Sequence, residues 1–236
     1  MKPCSLIVPI AADKPEYELH IPYVFRMDDS GTMYCLKAIL GLELSAFEAI
    51  HITILKKHDV RYGVAGMLRL QIERLKLRNV HICILEQPTR NQAETIYQTI
   101  KQENILGAIY VKDSDGYFKS EIIVQNGVAV CPIEKLAVLK PQNKSYVTVD
   151  NLFYITNILE KRVVGHLINA GGYCFENASV FCEYYERLSK IEEKLYLSHI
   201  VYAMLLDRFV FRPTIVTDYE DWEDNILVNM NKIEGK

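Results

Sequence analysis

Two carboxylates spaced i, i+2 stand in Val111-Lys112-Asp113-Ser114-Asp115-Gly116-Tyr117-Phe118, directly after the apolar run of residues 105–110. A short apolar run bounded by turn residues predicts a buried strand. Asp113 and Asp115 would then leave its carboxyl end, where open α/β sheets bind their ligands. Paired acids at such a place suit a hard divalent cation, Mg²⁺ or Mn²⁺, carrying substrate phosphates. The same residues also make ordinary turn chemistry, because Asp and Ser bond the local backbone and Gly accepts positive φ. An EF-hand is excluded. Counting from Asp113, the twelfth position is Val124, where that loop needs a bidentate Glu.

The elements that must hold these acids alternate through the first half. Residues 5–10 read as a buried strand and residues 11–31 as a long polar loop. A helix is expected over 32–40, a β-branched strand over 50–55, and an amphipathic helix over 60–76. In that helix Val64, Met67, Leu68, Ile72 and Leu75 recur at helical spacing. A strand at 80–85, a loop at 86–91, a helix over 92–102 and a strand over 105–112 complete the series. Such alternation predicts a parallel sheet with right-handed crossovers. Beyond Phe118 the segments shorten: strands are expected at 121–124, 127–132, 145–149, 153–159 and 170–175. A helix should begin near Glu176-Asn177, another should span 191–206, and a strand should cover 209–216. An acidic stretch at 217–224 leads into a terminal helix. With no internal repeat and no linker, residues 1–236 are expected to form one mixed α/β domain.

Composition narrows the function. The chain is half apolar, 24% charged and carries a formal net charge of −3. That charge argues against a nucleic-acid partner, which favours a concentrated basic patch. No apolar run reaches the length of a membrane span. The opening Met1-Lys2-Pro3-Cys4 enters a run too short for a secretory signal, so a cytoplasmic protein is expected. Six cysteines (Cys4, Cys35, Cys83, Cys131, Cys174, Cys182) lack CxxC spacing, which disfavours structural zinc and a disulfide framework. His51, His58, His81 and His166 show no metal-ligand spacing and read as core groups.

Four segments, read together, resemble the nucleotide-sugar pyrophosphorylases and related sugar nucleotidyltransferases. They are Leu6-Ile7-Val8-Pro9-Ile10-Ala11-Ala12, Arg90-Asn91-Gln92-Ala93-Glu94-Thr95, the Asp113 motif, and a late group. The late group comprises Glu160-Lys161, Asn169-Ala170-Gly171-Gly172 and Asp218-Tyr219-Glu220-Asp221-Trp222. The resemblance implies a three-layer α/β/α fold around a central mixed, mainly parallel sheet. It implies a metal-dependent enzyme that joins a nucleoside triphosphate to a phosphorylated sugar or similar acceptor and releases pyrophosphate. Surface-polysaccharide synthesis would be its setting. Asp113, Asp115 and Asp221 become metal ligands and, with Lys161, the catalytic set. Ala11, Ala12, Lys14, Arg90, Asn91, Gln92, Ala93 and Ser114 fall at the nucleotide. Glu160, Lys161 and Gly171 fall at the acceptor, with Lys161 as a point charge on its phosphate.

Each assignment has a plainer counterpart. Asp221 also reads as part of an acidic helix N-terminus, Lys161 as a solvated surface lysine beside Arg162, Gly171 as a bulge, and Arg90-Asn91 as an N-cap. One departure is plain. The family's glycine-rich phosphate loop is replaced by Ala11-Ala12-Asp13-Lys14-Pro15-Glu16, and its later lysine by Ile21. Acids there would repel a triphosphate rather than cradle it. Two other readings therefore stand: a glycosyltransferase holding a nucleotide-sugar through Asp113-Ser114-Asp115, and a non-catalytic relative that binds a nucleotide, metabolite or protein. A homo-oligomer is left open.

Overall fold

Alternation along the first strand builds both cores at once. In β1 (Cys4–Ile10), Leu6, Val8 and Ile10 enter the core on one face of a sheet, and Ile7 enters the core on the other. The computed structural model describes residues 3–135 and 143–222. Among these, β1 lies between β2 (Ala49–Leu55) and β4 (Ala108–Lys112), with β3 (Val80–Leu85) outside β2, all four strands parallel. On the far side of β4 the direction reverses: β9 (Leu167–Phe175) runs antiparallel to both β4 and β6 (Gly127–Pro132). β10 (Arg212–Ile215) pairs parallel with β6, and the hairpin β7 (Tyr146–Val149) and β8 (Ile155–Leu159) joins through β9. The result is a nine-stranded mixed sheet.

Helices cover both faces. α1 (Tyr34–Lys37) and α3 (Val64–Arg74) close one core with Cys35, Leu36, Val64 and Leu68. α4 (Gln92–Glu103), α5 (Ala178–Leu188) and α6 (Leu197–Leu206) close the other with Ile96, Phe181 and Val201. The three-layer α/β/α architecture expected from the sequence is present. All six cysteines are buried as free thiols. Among the described residues no helix is long and apolar enough to cross a membrane.

Several boundaries differ from the sequence reading, each for a local reason. The helix expected over 60–76 is two helices, α2 (Lys56–Tyr62) and α3. Gly63 breaks them at φ 67°, and the Asp59 carboxylate accepts the Ala65 amide at 2.7 Å to start the second. The helix expected over 32–40 is only one regular turn, continued by tighter i→i+3 bonds such as Leu40 N–H to Lys37. β4 starts at Ala108, because Ile105 instead closes α4 by donating to the Ile100 carbonyl at 3.1 Å. Residues 121–124 are not a strand; Ile122 and Val124 pack on the core as extended loop. β9 begins at Leu167 because β6 extends its ladder to Pro132, and α6 begins only at Leu197. The acidic stretch is also a strand. β11 (Thr217–Asp221) pairs antiparallel with β5 (Gly116–Lys119) in a separate two-stranded ribbon. The terminal helix expected beyond it lies outside the described residues.

Candidate active site

The site is assembled from the inside outward, beginning with a lysine the sequence reading passed over. Ala108 and Tyr110 of β4 face the α1–α3 core, and period-two alternation sends Lys112 to the same side. Its side chain is fully buried. The ammonium donates to the Asp113 and Gly116 carbonyls, each at 2.8 Å, and lies 4.5 Å from the centre of the Phe118 ring. Burial pushes this amine down to about 8, against the opposing pull of Asp113 and Asp115. One buried cation thus ties both ends of the Asp113–Gly116 turn to the sheet.

Asp113 continues the ladder, its N–H donating to the Gly171 carbonyl at 2.8 Å. Burial, reinforced by Asp115, raises its carboxyl to about 7, while Lys112, a hydrogen bond from Gln92 and Lys144 pull the other way. Gln92, in the first turn of α4, donates its amide to this carboxylate. Gly171 has φ 83°, and a Cβ there would lie 2.7 Å from Asp113 Oδ2. Both facts require glycine. Gly171→Ala is expected to lower stability by about 1–3 kcal/mol through backbone strain and displacement of Asp113, measured by urea unfolding.

Asp221 arrives by strand register. In the β5–β11 ribbon it pairs with Gly116, so the two strands bring residues 115 and 221 to one wall. Trp222 N–H donates to the Asp115 carbonyl at 3.0 Å, and its indole donates to Glu220 at 2.9 Å. That indole packs against Tyr34, with ring centroids 4.9 Å apart, and Lys37 sits over it at 5.2 Å. The single tryptophan therefore docks the late segment onto α1. Asp221 accepts an ion pair from Lys144, just before β7.

Opposite these acids lies the other wall. Glu160 accepts from the hydroxyls of Ser145 and Ser198, the latter at 2.7 Å. Lys161, at φ 54°, donates to the Tyr196 hydroxyl at 3.2 Å and lies 5.1 Å from that ring's centre. Asn169 donates to the Tyr173 hydroxyl and accepts the Gly171 amide at 3.0 Å. The two walls enclose a cleft of about 300 Å³.

Of the residues singled out from sequence, Asp113, Asp115, Asp221, Gln92, Glu160, Lys161 and Gly171 line this one cleft. Others lie elsewhere. Ala11 is buried with Leu55 and Leu85, and Ala93 is buried in the α4 core with Ile96. Asn91 is the N-cap of α4, accepting the Glu94 amide at 2.9 Å. Arg90 is committed to Glu94 through paired 3.1 Å bonds and to the Tyr185 hydroxyl at 3.2 Å. Ala12 bridges to Thr89, Lys14 is exposed 5.7 Å from the Tyr17 ring centre, and Ser114 sits half-buried in the acidic turn. Lys144, Ser145, Asn169, Tyr173 and Tyr196 line the cleft without having been singled out for a role there.

The glycine-free loop after β1 is folded against α2. Asp13 accepts from Lys57 at 2.8 Å and stands 3.4 Å from His58; Glu18 pairs with Arg61 at 2.9 Å and with Lys57. The Lys57 hydrogen bond holds the Asp13 carboxyl below its ordinary range. Tyr62 adds a 2.7 Å bond to the Tyr17 carbonyl. Of the two acids expected to repel a triphosphate, Asp13 is thus paired within the fold.

The donor set on the acidic wall, the carboxylates of Asp113, Asp115 and Asp221 with no softer group among them, fits a hard cation in kind. Among the described residues no three His, Cys, Asp or Glu side chains stand ready-arranged around a metal ion. Asp221 is engaged by Lys144, and Asp113 by Gln92.

No protein-family model matches the chain, and no curated protein matches it by sequence. Solved structures do match. A nucleoside-diphosphate-sugar pyrophosphorylase from Vibrio cholerae RC9 aligns with TM-score 0.74 at 14% identity, covering 92% of this chain and 95% of that one. An inositol-1-phosphate CTP transferase from T. maritima gives TM-score 0.70 at 14% identity, covering 92% and 88%. HddC from Yersinia pseudotuberculosis, complexed with GMP-PN, gives TM-score 0.59 at 16% identity, covering 94% and 93%. At such identities the likeness establishes the fold, which this chain shares with these structures.

Proposed function

We propose that this chain, read as one domain, is a metal-dependent nucleotidyltransferase. It would join a nucleoside triphosphate to a phosphorylated sugar or similar acceptor. One observation carries the reading: Asp113, Asp115, Asp221 and Lys161 line a single cleft at the carboxyl end of β4. In the reaction an acceptor phosphate oxygen attacks the α-phosphorus, the bond to the bridging oxygen breaks, and pyrophosphate leaves. Such transfers depend on positioning and charge neutralisation. Mg²⁺ or Mn²⁺ held by Asp113, Asp115 and Asp221 supplies that neutralisation when bound. Lys161 holds the acceptor phosphate, and Glu160, fixed by two serines, accepts from acceptor hydroxyls. Gln92, with the amides at the start of α4, meets the nucleotide. The product, an activated sugar, is the kind of unit consumed in surface-polysaccharide assembly.

The test is pyrophosphate release across the four nucleoside triphosphates and a panel of sugar phosphates with Mg²⁺ or Mn²⁺. One combination should turn over, and that nucleotide should raise the melting temperature by mass action. Lys161→Ala should then raise KM for the acceptor by about 10–100-fold, the scale of one charged hydrogen bond, with little change for the nucleotide. An unchanged acceptor KM removes Lys161 from that role. The closed loop after β1 favours a second reading, a relative that binds nucleotide without turnover. Thermal stabilisation without pyrophosphate release would select it.

A further inference from the structure

The ion pair at the centre of the acidic wall has a consequence for metal binding, taking the proposed nucleotidyl transfer as premise. Lys144 and Asp221 keep 17% and 18% of their side-chain surface exposed, so the pair is largely covered yet open to the cleft. An ion pair whose two partners both still meet the cleft can exchange one of them for an incoming charged ligand. The backbone that presents Lys144 is fixed. Ser145 bonds Glu160 through its hydroxyl and receives the Asn169 amide at 2.9 Å through its carbonyl. Only the flexible four-carbon stem of the lysine is left to move. Lys161, by contrast, is turned toward Tyr196.

We propose that Lys144 is an exchangeable counter-ion of the acid cluster. Its ammonium holds Asp221 while the cleft has no substrate, and passes to a phosphate oxygen when a metal–nucleotide complex engages Asp221. The free divalent ion competes with the lysine for the same carboxylate, so it binds weakly alone. The metal–nucleotide complex provides the displaced ammonium with a new anionic partner, so it binds well. No bond is made or broken; one ionic partner replaces another. The arrangement ties metal capture to the presence of triphosphate.

The test is Mn²⁺ binding, followed by the loss of the free-ion paramagnetic resonance signal, in wild type, Lys144→Met and Lys144→Arg. Without nucleotide, Lys144→Met should bind Mn²⁺ tighter by about tenfold, the scale on which one neighbouring charge moves an ionic equilibrium. With nucleoside triphosphate present the order should invert, the same variant binding the complex about tenfold more weakly. Lys144→Arg should stay close to wild type in both. Circular dichroism verifies the fold, and Lys144→Gln replaces the methionine variant if that one unfolds. Nucleotide-free Mn²⁺ affinity that is unchanged or weaker in the neutral variant overturns the proposal, as does absence of Mn²⁺ binding in every form. Tighter Mn²⁺ binding in the variant with no turnover of any substrate pair would retain the counter-ion role and reject the enzyme reading. Turnover in wild type with identical Mn²⁺ affinities would do the reverse.

Discussion

Under the proposed reaction, Asp221→Asn should lower nucleotidyl transfer by about 10²–10³-fold while leaving the melting temperature near that of wild type. The rate term follows from the chemistry: a carboxylate that fixes cationic charge against a transferring phosphoryl group stabilises the transition state, and losing one such contact costs about 3–4 kcal/mol. The stability term follows from the fold. Asp221 is held in its ribbon by backbone pairing with Gly116, which asparagine keeps. Its side chain is committed to an ion pair with Lys144 that still meets the cleft, and the asparagine carbonyl keeps an acceptor for that ammonium. Asp113→Asn should reduce transfer comparably but is less clean, because the Gln92 amide donates to that carboxyl and burial already disfavours its charge. The measurement is kcat/KM for pyrophosphate release beside a melting curve. Wild-type turnover in Asp221→Asn would detach the late ribbon from catalysis. Turnover lost together with several degrees of melting temperature would assign the residue to folding.

Asp221 also marks where the sequence stops being readable. Asp113 and Asp115 could be placed because an apolar run announces a strand and a glycine turn announces its end. Residues 217–221 carry no such pattern. Four of the five are polar or charged, so they read as a loop or a helix start, and only their pairing with residues 116–119 makes them a strand. Long-range pairing of polar segments leaves little trace in hydrophobic periodicity. Gly63 did leave a trace, since a glycine inside a helical pattern is a breaker signal, yet apolar spacing on both sides masked it. Ala93 was given to the nucleotide by family likeness; its side chain lies in the core, which leaves the backbone amide at the start of α4 for that contact. Lys144 was illegible: it belongs to no motif, and its place beside Asp221 depends on β7 joining the sheet through β9. Lys112 was the avoidable omission. Strand alternation from Ala108 through Tyr110 sends it inward, and a lysine sent into a core is a feature the pattern itself displays.

Lys112→Met tests whether that buried cation shapes the acidic turn. At neutral pH two effects oppose each other. The Asp113 and Gly116 carbonyls lose their buried donor, at about 1–3 kcal/mol each, while the penalty of burying an ammonium disappears. The net change near pH 7 is therefore small and undiagnostic, and the pH dependence carries the information. Burial lowers the folded-state value of Lys112 to about 8, whereas an unfolded lysine titrates near ~10.4. Between those values the unfolded chain binds more protons than the folded one, so the contribution of Lys112 to stability rises as pH climbs through the window. Below about 8 the folded protein carries the full burden of the charged form. The gap between wild type and Lys112→Met should accordingly widen in favour of wild type by roughly 1.4 kcal/mol per pH unit across the window. Tyrosine and cysteine ionisation affect both proteins alike and cancel in the difference. Urea unfolding of the two proteins at pH 7 and pH 10, with chelator present to keep metal off Asp113 and Asp115, reads it directly. A pH-independent gap would mean that Lys112 is equally charged in both states and reaches water. The clamp beneath the carboxylate turn would then not exist, and the geometry of Asp113 and Asp115 would rest on the β4–β9 ladder and Gly171 alone.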